Sequence, residues 1–256
     1  MFTKLLGLTL FILAAVGSPS LAKEDAKGRI LVFVKTKGFR HKSIPHGKAA
    51  LLALGREHQV HVDTTSDASF FTEETLQTYD AVVFLNTSGD VLNDAQQADF
   101  ERYIQAGGGF AGVHAATDTE YDWPWYNKLV GAYFDGHPKQ QNATVSIEKP
   151  SHPVTKMLPV EWERFDEWYN FKSVNPEIQV LAKVDETTYE GGKMGENHPF
   201  IWVHEYDGGK AFYTAGGHRE DNYTEELFLK QLWAGIEWVM DHAPLDYSRV
   251  STARFQ

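Results

Sequence analysis

Two short runs constrain this chain more than anything else in it. Residues 30–34, Ile-Leu-Val-Phe-Val, and residues 81–85, Ala-Val-Val-Phe-Leu, contain no polar position. A strand with one wet face alternates apolar and polar residues, so an unbroken apolar run is a strand covered on both faces. Helical patterns separate such strands here. Residues 45–54 read as a helix, with Ala49, Leu51, Leu52 and Leu54 available for its buried face. Residues 59–62 read as a second strand, followed by a short helix near 72–77. Asn93 and Gln96 have the spacing of a capping box, Phe100, Tyr103 and Ile104 recur at helical spacing, and Gly107 suits the position just past the helix end. Residues 109–113 then form another strand. This alternation predicts an α/β fold, a doubly wound, mainly parallel sheet with helices on both faces.

The second half is less regular. Residues 143–147, 180–184, 199–206 and 210–214 read as strands, the last two joined by a turn at Asp207-Gly-Gly. Residues 224–240 read as a helix with Leu229, Leu232, Trp233, Ile236 and Met240 along one face. No linker divides the chain, so residues 23–256 are expected to form a single domain. Residues 1–22 have the layout of a secretory signal peptide. Lys4 precedes an apolar run over 5–16, and Ser20-Leu21-Ala22 offers small residues for cleavage after Ala22. The run is short for a membrane span. The mature chain is expected in the periplasm or secreted, with no membrane partner.

The charge balance narrows the partners. Lys and Arg number 24 against 35 Asp and Glu, a net charge of −11. Such a chain repels phosphate backbones, so nucleic acid is not expected as a partner, and no nucleotide cofactor is expected. There is no cysteine, which excludes disulfides, thiolate metal sites and a cysteine nucleophile.

In open α/β sheets, ligands bind beyond the carboxyl ends of the parallel strands. The residues there include Arg40-His41, Asn86-Thr-Ser-Gly-Asp90, His114 to Asp118, and Gly216-Gly-His218. Three of the four segments carry a histidine, which makes His41, His114 and His218 a candidate ligand set for a divalent ion, zinc or similar. Gly112, Ala115 and Ala116 around His114 give the small neighbours of a nucleophile elbow, although its apex is an imidazole. Asp166 and Glu167 lie among Trp162, Phe165, Trp168 and Tyr169, and with His114 they are the acid–base candidates. Arg40, Trp123, Trp125 and His137 are candidates for holding substrate. His46, His58, His61, His152, His198, His204 and His242 are expected outside the site.

The motifs Gly38-Phe-Arg-His41, Gly107-Gly-Gly-Phe-Ala-Gly-Val-His-Ala-Ala-Thr117, Gly131-Ala-Tyr-Phe134, Gly136-His-Pro138, Asp166-Glu-Trp-Tyr169 and Phe212-Tyr-Thr-Ala-Gly-Gly-His218, taken in order, resemble the ThuA-like (trehalose-utilisation) family. The resemblance covers residues 30–240. It implies a flavodoxin-like sheet similar to class I glutamine amidotransferases, and a role in the metabolism of carbohydrate, commonly of sugars oxidised to 3-keto forms. His114 stands where the amidotransferase nucleophile would be, so glutaminase activity is not implied. The expectation is an exported carbohydrate-processing enzyme, a hydrolase, lyase or isomerase, acting on a small sugar by acid–base and metal-assisted chemistry. The alternative is a non-catalytic periplasmic sugar-binding or scaffold protein.

Overall fold

The structure, a computed structural model, describes residues 26–251. The expected signal peptide lies outside those residues. The first half follows the sequence pattern: β1 (Gly28–Phe33), α1 (Ile44–His58), β2 (Val60–Thr65), α2 (Glu73–Leu76), β3 (Ala81–Leu85), α3 (Asp94–Gln105) and β4 (Gly109–Val113). Asn93 and Gln96 form the capping box in both directions, each bond 3.0 Å. Helix α1 runs past residue 54 and closes at Gln59, whose φ is 61°. Its buried face is built on Ile44, Gly47, Leu51 and Gly55, and Ala49 is exposed. The glycines are there for close approach: a Cβ at Gly47 would lie 2.9 Å from the Tyr223 ring, and one at Gly55 2.3 Å from Val62.

The second half comprises α4 (Pro124–Val130), β5 (Tyr133–Phe134), β6 (Gln141–Ile147), β7 (Glu161–Asp166), β8 (Phe171–Lys172), β9 (Gln179–Asp185), β10 (Pro199–Tyr206), β11 (Gly209–Thr214) and α5 (Glu226–Met240). The β10–β11 turn has positive φ at both central residues, 48° at Asp207 and 100° at Gly208, as a type I′ hairpin requires. The buried face of α5 is centred on Phe228, Leu232, Ile236 and Val239, leaving Leu229 and Met240 partly exposed.

One nine-stranded sheet runs in the order β2-β1-β3-β4-β11-β10-β9-β6-β7. Its first five strands are parallel and follow the flavodoxin order. The last four extend it antiparallel. Successive side chains on a strand point to opposite faces. Phe84 meets Phe100 of α3 and Tyr126 of α4, whereas Leu85 faces Gly47 of α1. Helices therefore cover both faces.

Strand β7 was not expected from the sequence. Its inward positions are Trp162, Arg164 and Asp166, two of them charged, so the usual hydrophobic alternation is hidden. It lies four places from β11, which in a flat sheet would be about 19 Å away at 4.7–4.9 Å per strand. Yet the backbone N–H of Gly217, just past β11, donates to Asp166 Oδ2 at 3.4 Å. The antiparallel extension thus curls back over the carboxyl edge of the parallel strands.

Candidate metal centre

Three histidines leave the parallel strands at that edge. His41 is in the loop between β1 and α1, His114 directly follows β4, and His218 follows β11. Buried Asn86, just past β3, binds their loops together. Its Nδ2 donates to Ser43 Oγ at 3.3 Å, Gly217 O at 3.2 Å and Tyr223 OH at 3.2 Å.

The elbow at His114 is present in the backbone. His114 has φ of 47° and opens a 3-10 turn through Asp118. A Cβ at Gly112 would press on Tyr213 at 3.0 Å and on Ala116 Cβ at 3.2 Å, which explains the small neighbours. His114 Nδ1 is 2.8 Å from Ala215 O. A carbonyl only accepts, so Nδ1 carries the hydrogen and the Nε2 lone pair faces the cluster. The Tyr169 ring packs on the imidazole at 4.0 Å between centroids.

Glu167, delivered by the curl of β7, completes the group. Its Oε2 is 3.0 Å from His218 Nδ1 and 3.5 Å from His114 Nε2. His218 Nδ1 and His114 Nε2 are 3.2 Å apart. A tetrahedral ion with ligands at about 2.0–2.1 Å has ligand–ligand edges of about 3.3–3.4 Å, close to these three distances. The His41 ring lies 5.0 Å from both the His114 and His218 rings. One donor atom from each of His41, His114, Glu167 and His218 falls within 4.8 Å of the others.

The electrostatics suit ligands. Burial, with His114 and His218 alongside, pushes His41 down to about 2, so it is a neutral imidazole. Its Nδ1 is buried without a hydrogen-bond partner. Burial alone would raise the Glu167 carboxyl, but its closeness to the His114 and His218 imidazoles holds it well below the usual carboxylate range. Imidazoles with one carboxylate match borderline ions such as Zn²⁺.

The other candidates divide. His137 joins the group: its Nδ1 is 3.3 Å from Glu167 Oε1, its ring lies near-parallel to Tyr169, and it is 40% exposed. Asp166 does not face the cluster. It is fully buried, accepting from Arg164 Nη2 at 3.2 Å, from Gly217 N, and from Glu167 N at 3.0 Å. It ties β7 to the His218 loop, which leaves no oxygen for acid–base work. Arg40 is exposed and lines a separate groove with Pro45, Lys48 and Asp67. Trp123 donates to Glu101 at 3.0 Å and Trp125 to Asp207 at 2.8 Å. Both stack on one another and pack on Phe100, so they form packing around α3, not a substrate wall. Aromatic residues in a loop read alike in either role.

Asp118 and Gln140 also belong to the site's surroundings. Asp118 ends the turn that His114 begins, accepts from Tyr121 OH at 2.8 Å, and has its carboxyl raised by burial. Position on that turn was a signal for it in the sequence. Gln140 Nε2 lies 2.8 Å from His218 Nε2, and no local pattern announced it. His198 and His204 are buried structural groups, 2.8 Å from Tyr169 O and Lys128 O respectively.

The profile of the ThuA family, described as trehalose utilisation, matches residues 29–239. The chain belongs to the ThuA family. Membership gives this ThuA protein a carbohydrate-related role. Among solved structures it is similar to a ThuA-like protein from Bacteroides uniformis ATCC 8492, with 24% identity and a TM-score of 0.70 over 87% of this chain and 95% of that one. A ThuA-like protein from Parabacteroides merdae ATCC 43184 is 21% identical, with a TM-score of 0.69 over 84% and 90%. A β-galactosidase from Bacillus circulans sp. alkalophilus shares the fold over 86% of this chain but 32% of its own, at 13% identity and a TM-score of 0.53. No curated protein matches the chain.

Proposed function

We propose that this ThuA protein is an exported, metal-assisted acid–base enzyme acting on a sugar oxidised to a 3-keto form, or on its glycoside. The observation that supports it most is the convergence of His41, His114, His218 and Glu167 on one point, beside groups able to move protons. A carbonyl at C3 acidifies the hydrogen on C2. Its removal permits loss of the C1 substituent or migration of the carbonyl. A divalent ion held by these residues with a coordination position left for substrate would supply Lewis acidity at a substrate oxygen. His137, on the solvent side of Glu167, and Asp118, beside His114, are the proton carriers. The Tyr169 ring shields one face of His114 from water, and Ala215 O fixes its tautomer.

The test is metal content and turnover on one preparation. Zinc-loaded protein is expected to consume 3-ketotrehalose, and chelator-treated protein is not. His114→Ala is expected to lose bound zinc and to lower turnover about 10²–10⁴-fold. Zinc-independent turnover, or none on any 3-keto sugar, would overturn the reading. The export arm is read by mass spectrometry: the exported chain is expected to begin at Lys23, and retention of residues 1–22 would contradict cleavage.

A further inference from the structure

His218 has a hydrogen-bonding partner at each ring nitrogen, and together they fix which nitrogen carries the hydrogen. Gln140 directly precedes β6 and Glu167 directly follows β7, in a register that pairs Gln141 with Asp166. The curl that brings Glu167 to one nitrogen of His218 therefore brings Gln140 to the other. Gln140 Nε2 is 2.8 Å from His218 Nε2, and Arg219 Nη1 donates to Gln140 Oε1 at 3.2 Å. Arg219 is itself clamped. Its Nε and Nη2 donate to Asp221 at 2.8 and 2.6 Å, and its guanidinium lies 4.8 Å over the Phe165 ring.

A guanidinium only donates, so the oxygen of the Gln140 amide faces Arg219 and its NH2 faces His218. An amide NH2 only donates, so His218 Nε2 is the nitrogen with the lone pair. In the neutral ring the hydrogen then sits on Nδ1. Two acceptors stand ready for it, Glu167 Oε2 at 3.0 Å and the lone pair of His114 Nε2 at 3.2 Å. Each hydrogen bond from Arg219 through Gln140 and His218 is thus donated toward the cluster.

This order opposes the use of His218 as a ligand. Nδ1 is the nitrogen that faces Glu167 and His114, and a nitrogen carrying hydrogen has no lone pair for an ion. To bind one, the ring must take its other neutral tautomer, with the hydrogen moved from Nδ1 to Nε2 and no change of charge. Nε2–H then needs an acceptor. Gln140 can supply it only by turning its oxygen toward His218, which sets its NH2 against the Arg219 donors. A ligating histidine ordinarily donates its second N–H to a carboxylate or a carbonyl. Here that place is taken by an amide locked in the opposite sense.

We propose that Gln140, locked by Arg219, is a positioning residue that holds His218 in the tautomer unable to bind metal, so that His218 joins the ligands only when the Gln140 amide turns over. The inference rests on the metal-centre reading of the site and deepens it.

Nitrogen-15 NMR of histidine-labelled, chelator-treated protein tests it, at pH about 8, above the ordinary histidine range. His218 is assigned by its loss in His218→Gln. In wild type its hydrogen is expected on Nδ1, moving to Nε2 when zinc is added. In Gln140→Glu the carboxylate accepts from both Arg219 and His218, so the hydrogen is expected on Nε2 already, with zinc bound about tenfold more tightly in chelator competition. In Gln140→Leu the preference for Nδ1 is expected to be lost. Hydrogen on Nε2 in metal-free wild type would overturn the lock, as would an unchanged tautomer in both variants. Tighter zinc in Gln140→Glu without a change of tautomer would be an effect of the added charge alone and would also overturn it. Failure of wild type and Gln140→Glu alike to bind zinc would overturn the metal reading, while the metal-free spectra still decide what Gln140 does to His218.

Discussion

Replacing His41 with glutamine should flatten the acid limb of this protein's stability. The folded chain refuses a proton at His41, lowered from 6.5 to about 2 by burial and by two neighbouring imidazoles. The unfolded chain accepts it. Below 6.5 the unfolded state therefore binds more protons, and stability falls as pH falls toward about 2, while above 6.5 this residue contributes no slope. From about pH 7 to about pH 5 the loss is about 2 kcal/mol for a group that stays neutral when folded. Glu167, also held down, adds loss of the same sign only below its ordinary 4.5. His152 and His204 are lowered by burial and act in the same direction, so the informative quantity is the difference between wild type and His41→Gln. Urea unfolding of the metal-free proteins at the two pH values measures it. Wild type should lose about 1–2 kcal/mol more than the variant. Equal losses would show that His41 titrates normally in the fold and refute the electrostatic reasoning.

Arg164→Ala should cost about 3–5 kcal/mol in urea unfolding, since its buried guanidinium joins Asp166 and Glu225 and lies 4.2 Å over Trp162; a loss under about 1 kcal/mol would contradict that. Gly217→Ala should weaken zinc binding along with stability, because Gly217 has φ of 109° and a Cβ there would meet Tyr223 OH at 2.7 Å; unchanged zinc affinity would separate the loop from the cluster. Trp125→Phe should cost only the bond to Asp207, about 0.5–1.5 kcal/mol, and leave turnover of 3-ketotrehalose intact; slower turnover would return Trp125 to the site.

The parallel half was legible because its signals are local or exhaustive. A strand covered on both faces tolerates no polar residue, so residues 30–34 and 81–85 announce themselves, and the Asn93–Gln96 box is complete within four residues. The sheet rule then placed His41, His114 and His218 at one edge. It did not place Glu167, choose it over Asp166, or bring His137 alongside. Those depend on β7, whose inward face hides charge behind its own ion pairs, and on a curl that accumulates over four strands. Trp123 and Trp125 illustrate the same limit. Whether an indole is a platform or packing depends on what stands opposite it, and here that is Phe100, brought from another helix. Sequence fixes what each residue can do chemically, through its side chain and its immediate neighbours. Which residues meet is decided by packing between segments distant in the chain, and only the tertiary structure supplies that.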